Sequence, residues 1–361
     1  MTIRRLAINT GGGDCPGLNA VIRAVVLHAE RRGLEVLGIE DGLDGLLPDT
    51  QATVRRLTSA EVWPTLSRGG TILGTTNRGD PFAYHGADGA TRDLSGELLA
   101  RARELGIDLL ITVGGDGSQR IGMQLHRLGL PVIGVPKTID NDLEATVETF
   151  GFGTAVQVVT DALDRLRTTA ESHDRIMVLE VMGRDAGWIA LHAGLAGGAD
   201  VILIPELPYS PQAAARDLER VLGHGRRFAL IVVAEGACPR GEAVARKPTT
   251  GGGKVYGGAG QRAAEAIAEH LPRAEFRVTA LGHVQRGGTP TAYDRLLATR
   301  LGVEAVEAAL RGERGVLVSS RPPDICTVPL EQAVRGVRRI RPDSQIVAHA
   351  RAIGVSFADG S

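Results

Sequence analysis

The chain has 361 residues, 43% of them hydrophobic and 23% charged, with a formal net charge of −1. That length suits two domains rather than one, and the near-neutral balance excludes a basic, nucleic-acid-binding face as the organising feature. No apolar run reaches membrane-spanning length, and the N-terminus "MTIRRLAINTGGGD" lacks a signal-peptide core, so a cytoplasmic protein is expected. Cys15, Cys238 and Cys326 are odd in number and far apart, which gives neither metal spacing nor a disulfide framework.

In chain order, the strand "RRLAIN" enters the loop "TGGGDCPG". Leu18, Val21, Ile22, Val25, Val26 and Ala29 then follow helical spacing, and "LEVLGI" (34–39) is the next strand. Such a βαβ unit belongs to a parallel sheet with a right-handed crossover. The alternation continues with a strand at 107–113, a helix at 118–128, a strand at 130–135 and a helix at 153–169. A strand at 175–181, a helix at 186–196, a strand at 200–206, a helix at 211–222 and a strand at 227–235 follow. These strands are unbroken apolar runs, as expected when helices cover both sheet faces. The reading is α/β, with two doubly wound, mostly parallel-sheet, Rossmann-like domains. One polar, glycine-rich stretch, 238–260, breaks the alternation and is expected to be a mobile excursion.

Ligands of parallel α/β sheets collect at the carboxyl ends of strands. After the first strand, "GGGDCPG" offers exposed amides ahead of a helix, an anion site. Gly11, Gly13 and Gly17 give GxGxxxG rather than the dinucleotide fingerprint, and Leu18 and Asn19 stand where a P-loop has Lys and Ser/Thr. In "GGDGS" (114–118), Gly115 and Gly117 clear space around Asp116. In "PKTIDND" (136–142), Asp140 and Asp142 alternate, so an extended segment points both to one side. A divalent cation relieves their like-charge repulsion, and Mg²⁺ is the hard cation that bridges carboxylates to phosphate oxygens. One carboxylate is then left as a general base for an alcohol. Later strand exits supply cations: Arg175, Arg184, and Arg277, His283 and Arg286 in "FRVTALGHVQRGGTP". The planar fork of arginine suits phosphate.

Taken together, "GGGDCPGLNAVIR", "GGDGS", "PKTIDND", "SHDRIMVLEVMGR", "AEGA" and "LGHVQRGGTPTAYDR" resemble the 6-phosphofructokinase family over about residues 3–310. The resemblance implies that family's fold, with a donor-binding domain at 1–151 plus about 285–335 and a sugar-phosphate domain at 152–284 plus about 336–361. It implies ATP as donor with Mg²⁺, fructose 6-phosphate as acceptor and a homotetramer. By the same resemblance Asp140 is the base for the sugar 1-hydroxyl and Thr138 stands beside it. Arg184 and the Gly12 amide stabilise charge on the moving phosphoryl group. Asp116 holds the metal with support from Asp142, while Gly115, Gly117, Ser118 and Arg78 join Gly12 on the nucleotide side. Met182, Gly183 and Glu235 contact the sugar, and Arg175, Arg277, His283 and Arg286 cradle its 6-phosphate, with Arg175 and Arg277 coming from a neighbouring subunit.

Two positions bear on the donor. Within the resemblance, Gly117 goes with ATP and Lys137 with pyrophosphate. ATP is expected, because a missing side chain keeps the nucleotide pocket open while a flexible lysine swings aside. A reversible pyrophosphate enzyme and a non-catalytic binding subunit are the alternatives. Asn77 stands where the family has an ATP-side arginine, with Arg78 next to it. At the family's effector site Arg23 matches the first of two arginines, Leu27 replaces the second, and Asp200 stands for a glutamate, so a weak or altered effector response is expected.

Overall fold

The computed structural model describes residues 3–360 except 78, 87–88, 224, 245 and 249–253. The chain divides into two units, one of 1–139, 143–153 and 286–336, the other of 140–142, 154–285 and 337–361. Sequence had assigned 140–142 to the donor domain. This tripeptide groups with the second unit, where the C-terminal segment binds its backbone carbonyls.

The first unit is built on an eight-stranded sheet. Its order is Asp324–Pro329, Val316–Arg321, Val132–Thr138, Leu109–Gly114, Arg5–Thr10, Glu35–Ile39 and Val54–Leu57, with Phe150–Gly151 attached to Val132–Thr138. The inner strands run parallel, and both outermost strands are antiparallel. Neither outermost strand stands out in the sequence. Each lies at an edge, half exposed, so it lacks the apolar run that marks a strand covered on both faces. The helices Leu18–Arg31 and Ala292–Leu310 pack against each other in this unit. The strand Val132–Thr138 continues past its apolar run because Lys137 and Thr138 pair with Phe150 and Gly151.

The second unit carries a four-stranded, all-parallel sheet in the order Val201–Leu203, Ala229–Ala234, Ile176–Val181, Phe276–Ala280. Every residue of the two central strands is buried, the physical origin of the runs "IMVLEV" and "ALIVVA". The helix Phe152–His173 runs beyond 169 and buries Ala170 completely. Within 238–260, expected to be a mobile excursion, residues 245 and 249–253 lie outside the described residues, while the others include regular structure. Arg246–Pro248 and Lys254–Tyr256 pair antiparallel, and the helix Ala259–Ala268 begins inside the stretch. The buried Glu180 carboxylate accepts the Gly258 and Gly260 amides at 2.9 and 2.8 Å, which caps that helix with a charge.

Candidate active site

On the first unit, the strand Leu109–Gly114 passes through the extended Gly115 into the helix Asp116–Arg127. A Cβ on Gly114 would lie 2.3 Å from Ser118 Oγ, so only glycine lets the first helical turn close against the strand. Asp116 heads the helix, where the dipole favours a carboxylate. Its Oδ2 accepts from Arg120 at 2.7 Å, while Oδ1 is buried without a hydrogen-bond partner. A Cβ on Gly117 would meet nothing within 4 Å. Among the described residues no cluster of three or more His, Cys, Asp or Glu could hold a metal ion. Mg²⁺ takes one or two carboxylates and completes its shell with water and phosphate oxygens, so the single Asp116 carboxylate at a helix N-terminus is compatible with it. The orphaned Asp116 Oδ1 is suited to be one of those ligands.

The glycine loop is held from several sides. Gly12 (φ +77°) donates its N–H to the Thr76 carbonyl at 3.1 Å, and its own carbonyl accepts from Thr75 Oγ1 at 2.6 Å. In this conformation the amide expected at the phosphoryl group is therefore engaged with Thr76. Lys137 is only 3% exposed and donates to the Gly13 carbonyl. It is a packed strap between strand end and loop, not the flexible arm expected from sequence. Arg286 Nη1 donates to the Asp14 carbonyl at 3.3 Å. Burial pushes the Cys15 thiol up to about 12, which removes it as a nucleophile at neutral pH. Arg78 lies outside the described residues.

On the second unit, the turn Asp140–Asp142 has a left-handed Asn141 (φ +52°), which is 4% exposed. Arg338 donates to the Asn141 carbonyl through Nε (3.1 Å) and Nη2 (2.7 Å), and its own N–H donates to the Asp142 carbonyl at 2.8 Å. The guanidinium stacks 4.4 Å from the Trp188 ring centroid, and Trp188 Nε1 donates back to the Arg338 carbonyl at 2.8 Å.

The exits of the two central strands are laced together. Glu235 N–H donates to Val181 at 2.9 Å and Gly236 N–H to Gly183 at 3.1 Å, which sets Glu235 beside Met182, Gly183 and Arg184. A Cβ on Gly236 would lie 2.0 Å from the Arg184 carbonyl, so glycine is required by close approach. The Arg184 guanidinium bonds Asp185 at 2.6 Å and lies 5.7 Å from the Tyr256 ring centroid. The Asp185 hydrogen bond raises its pKa above the ordinary arginine value against partial burial, with smaller support from Tyr256 and Asp140.

Met182 N–H donates to the buried Gln285 Oε1 at 3.2 Å, which ties the strand exit to the 3-10 turn Gly282–Arg286 that carries the exposed His283. Arg175 and Arg277 both bind Glu275, the first at 3.0 Å. The two arginines, Arg175 foremost, hold the exposed Glu275 carboxyl below its ordinary range. The sequence reading had singled out neither Glu275, Gln285, Trp188 nor Arg338. Arg338 lies 197 residues from Asn141 in a strandless tail, and no local spacing could have paired them.

The family model for phosphofructokinase matches residues 5–309. The chain belongs to the phosphofructokinase family. A protein from Chloroflexus aurantiacus named ATP-dependent 6-phosphofructokinase is 52% identical over 362 residues, covering 99% of this chain and 98% of that protein. A pyrophosphate–fructose 6-phosphate 1-phosphotransferase from Amycolatopsis methanolica is 48% identical over 346 residues, covering 94% of this chain and 97% of that protein. Among solved structures, the Pichia pastoris phosphofructokinase in the T-state superposes with a TM-score of 0.79 at 31% identity. The match covers 99% of this chain and 37% of the Pichia chain.

In this member of the family the groups at the expected effector positions have internal partners. Arg23 Nε donates to the Trp63 carbonyl at 3.2 Å, and the guanidinium lies 4.7 Å from the indole centroid. Asp200, 9% exposed, accepts from Arg226 at 2.6 and 2.9 Å and from the Leu230 N–H at 2.9 Å.

Proposed function

We infer that this chain is an ATP-dependent 6-phosphofructokinase that transfers the γ-phosphoryl group of Mg-ATP to the 1-hydroxyl of fructose 6-phosphate, a glycolytic reaction. The full-length likeness to the ATP-dependent relative carries this reading. Gly117 supports it, because a Cβ there would meet no described residue within 4 Å beyond its own helix and chain neighbours, and a helix N-terminus favours phosphate. Pyrophosphate stays as the second reading, on the Amycolatopsis relative and on Lys137.

Phosphoryl transfer needs positioning and charge neutralisation more than covalent chemistry. Asp140 accepts the proton of the sugar 1-hydroxyl as that oxygen attacks phosphorus, and Thr138 orients the groups beside it. Arg184 offsets the charge that spreads over the equatorial oxygens. Mg²⁺, held by Asp116 with Asp142 in support, supplies Lewis-acid shielding of the phosphate oxygens when bound. Met182, Gly183 and Glu235 fix the sugar, and His283, Arg286, Arg175 and Arg277 bind its 6-phosphate, the last two contributed by a neighbouring subunit of a homotetramer. Glu275 holds both of these arginines in the isolated chain; a dianionic phosphate would compete with it for them. No helix among the described residues is long and apolar enough to cross a membrane, which accords with a cytoplasmic location.

The test is fructose 6-phosphate turnover with Mg²⁺, comparing ATP with pyrophosphate. Turnover with ATP alone is expected. Turnover with pyrophosphate alone would replace this reading by the second, and none with either would leave a binding subunit. Effector titration provides a further check. With Arg23 on Trp63 and Asp200 on Arg226, ADP and phosphoenolpyruvate are expected to shift half-saturation by fructose 6-phosphate less than about twofold. Strong cooperative inhibition would show that these internal pairs open to admit an effector.

A further inference from the structure

We propose that Arg338 is a positioning residue for Asp140, fixing the turn that presents the base, with Trp188 as the platform that fixes Arg338. The inference rests on Asp140 acting as the base. Three observations carry it. First, Arg338 engages the turn at two successive carbonyls: the fork of its guanidinium meets Asn141, and its backbone N–H meets Asp142. Both carbonyls follow Asp140, so the clamp acts on the backbone that aims the base and leaves that carboxylate's own chemistry untouched. Second, Asn141 is held in the left-handed region at φ +52°, which an L-residue adopts at a cost and keeps only where its surroundings over-determine it. The paired donors of Arg338 supply that constraint. Third, Arg338 is itself located twice by Trp188, through stacking and through the Nε1 bond to its carbonyl. Trp188 opens the helix Trp188–Ala196, reached directly from the segment that contains Arg184. The Trp188–Arg338 contact therefore links the support of the base to the chain that bears the charge-stabilising arginine.

An arginine suits this task better than a lysine. Only the planar fork places two donors on one carbonyl while keeping a face for the indole. A base must sit within hydrogen-bond reach of the hydroxyl it deprotonates, and misplacement by about 1 Å costs about 10²-fold.

The experiment compares Arg338→Ala and Arg338→Lys with the wild type in steady-state turnover with ATP and fructose 6-phosphate. It is repeated with Arg338→Ala plus added guanidinium ion, and with Arg338→Ala in an Asp140→Ser background at high enzyme concentration. For Arg338→Ala, kcat is expected to fall about tenfold to hundredfold with KM for fructose 6-phosphate within about twofold, and guanidinium is expected to restore part of it. Arg338→Lys should recover only a fraction. In the Asp140→Ser background, loss of Arg338 should change kcat by less than about twofold, because two residues acting through one group are not additive. Unchanged kcat in Arg338→Ala would overturn the proposal, as would equal losses in both backgrounds, which would mark Arg338 as a general prop of the fold. If Asp140→Ser alone keeps its activity, the assignment of the base fails instead, and the two failures are thereby told apart.

Discussion

Replacing Asp140 by Ser is expected to lower kcat with ATP and fructose 6-phosphate by about 10²–10⁴-fold while leaving the thermal midpoint within a few degrees. The size follows from removing the proton acceptor in the step where the hydroxyl becomes a nucleophile. The fold should survive because the turn is anchored by the carbonyls of Asn141 and Asp142, which the substitution leaves in place. Serine keeps a small polar group at the position. Arg184, whose guanidinium feels the Asp140 charge only as a minor influence behind that of Asp185, keeps its nearest partner. KM for both substrates should move little, since a base that acts in the transition state adds little to ground-state binding. Steady-state kinetics with a thermal melt checks this. Near-full activity in the variant would mean that another group takes the proton.

The second large effect is expected at Gly117. Substitution by Asp should reduce kcat/KM for ATP by at least about a hundredfold without destabilising the chain. Position 117 is the second residue of the helix Asp116–Arg127, where an acidic side chain is well tolerated by the helix dipole. Outside its own helix and chain neighbours, no described residue lies within 4 Å of the added Cβ, so the first atom of the side chain meets no clash. The cost would fall on the donor. A carboxylate would project into the space proposed for the nucleotide's phosphates and repel them, and two or three kcal/mol of such repulsion is about the factor expected. Gly117→Ala, which adds bulk without charge, should lose much less. Kinetics with ATP and with pyrophosphate on both variants separates the two contributions. If Gly117→Asp uses ATP as well as the wild type does, the space beside Gly117 does not receive the donor.

The two positions expected to bear on the donor differ in their surroundings. At Gly117 a Cβ would meet nothing within 4 Å among the described residues outside its own helix and chain neighbours. By sequence alone Lys137 reads as a flexible side chain able to swing aside. It sits instead on a strand residue paired with Phe150, nearly fully buried, with its ammonium on the Gly13 carbonyl. A lysine strapped to the glycine loop has a structural role whichever donor binds.

Much of this protein was legible in the residues themselves. The buried strands announce themselves because a parallel strand covered on both faces is nearly continuous apolar sequence, as in "LLITVG", "IMVLEV" and "ALIVVA", broken only by Thr112 and the capping Glu180. The candidate site loops announce themselves because "GGDGS", "PKTIDND" and "VMGR" begin at or within the carboxyl ends of the strands Leu109–Gly114, Val132–Thr138 and Ile176–Val181. The edge strands Val54–Leu57 and Asp324–Pro329 were invisible, since a half-exposed strand is written in mixed residues that also suit loops. The start of the helix Ala259–Ala268 was hidden for a related reason: Glu180, far upstream on a buried strand, caps it through the Gly258 and Gly260 amides. Local sequence determined which groups the chain carries and which strand end each one leaves from. Tertiary structure alone decided what holds several of them, as when Arg338 closes on Asn141, Arg226 occupies Asp200 and Glu275 binds Arg175. Spacing along a chain encodes periodicity over a few residues, whereas a salt bridge or a clamp between distant segments exists only once the folded backbone has brought them within hydrogen-bond reach.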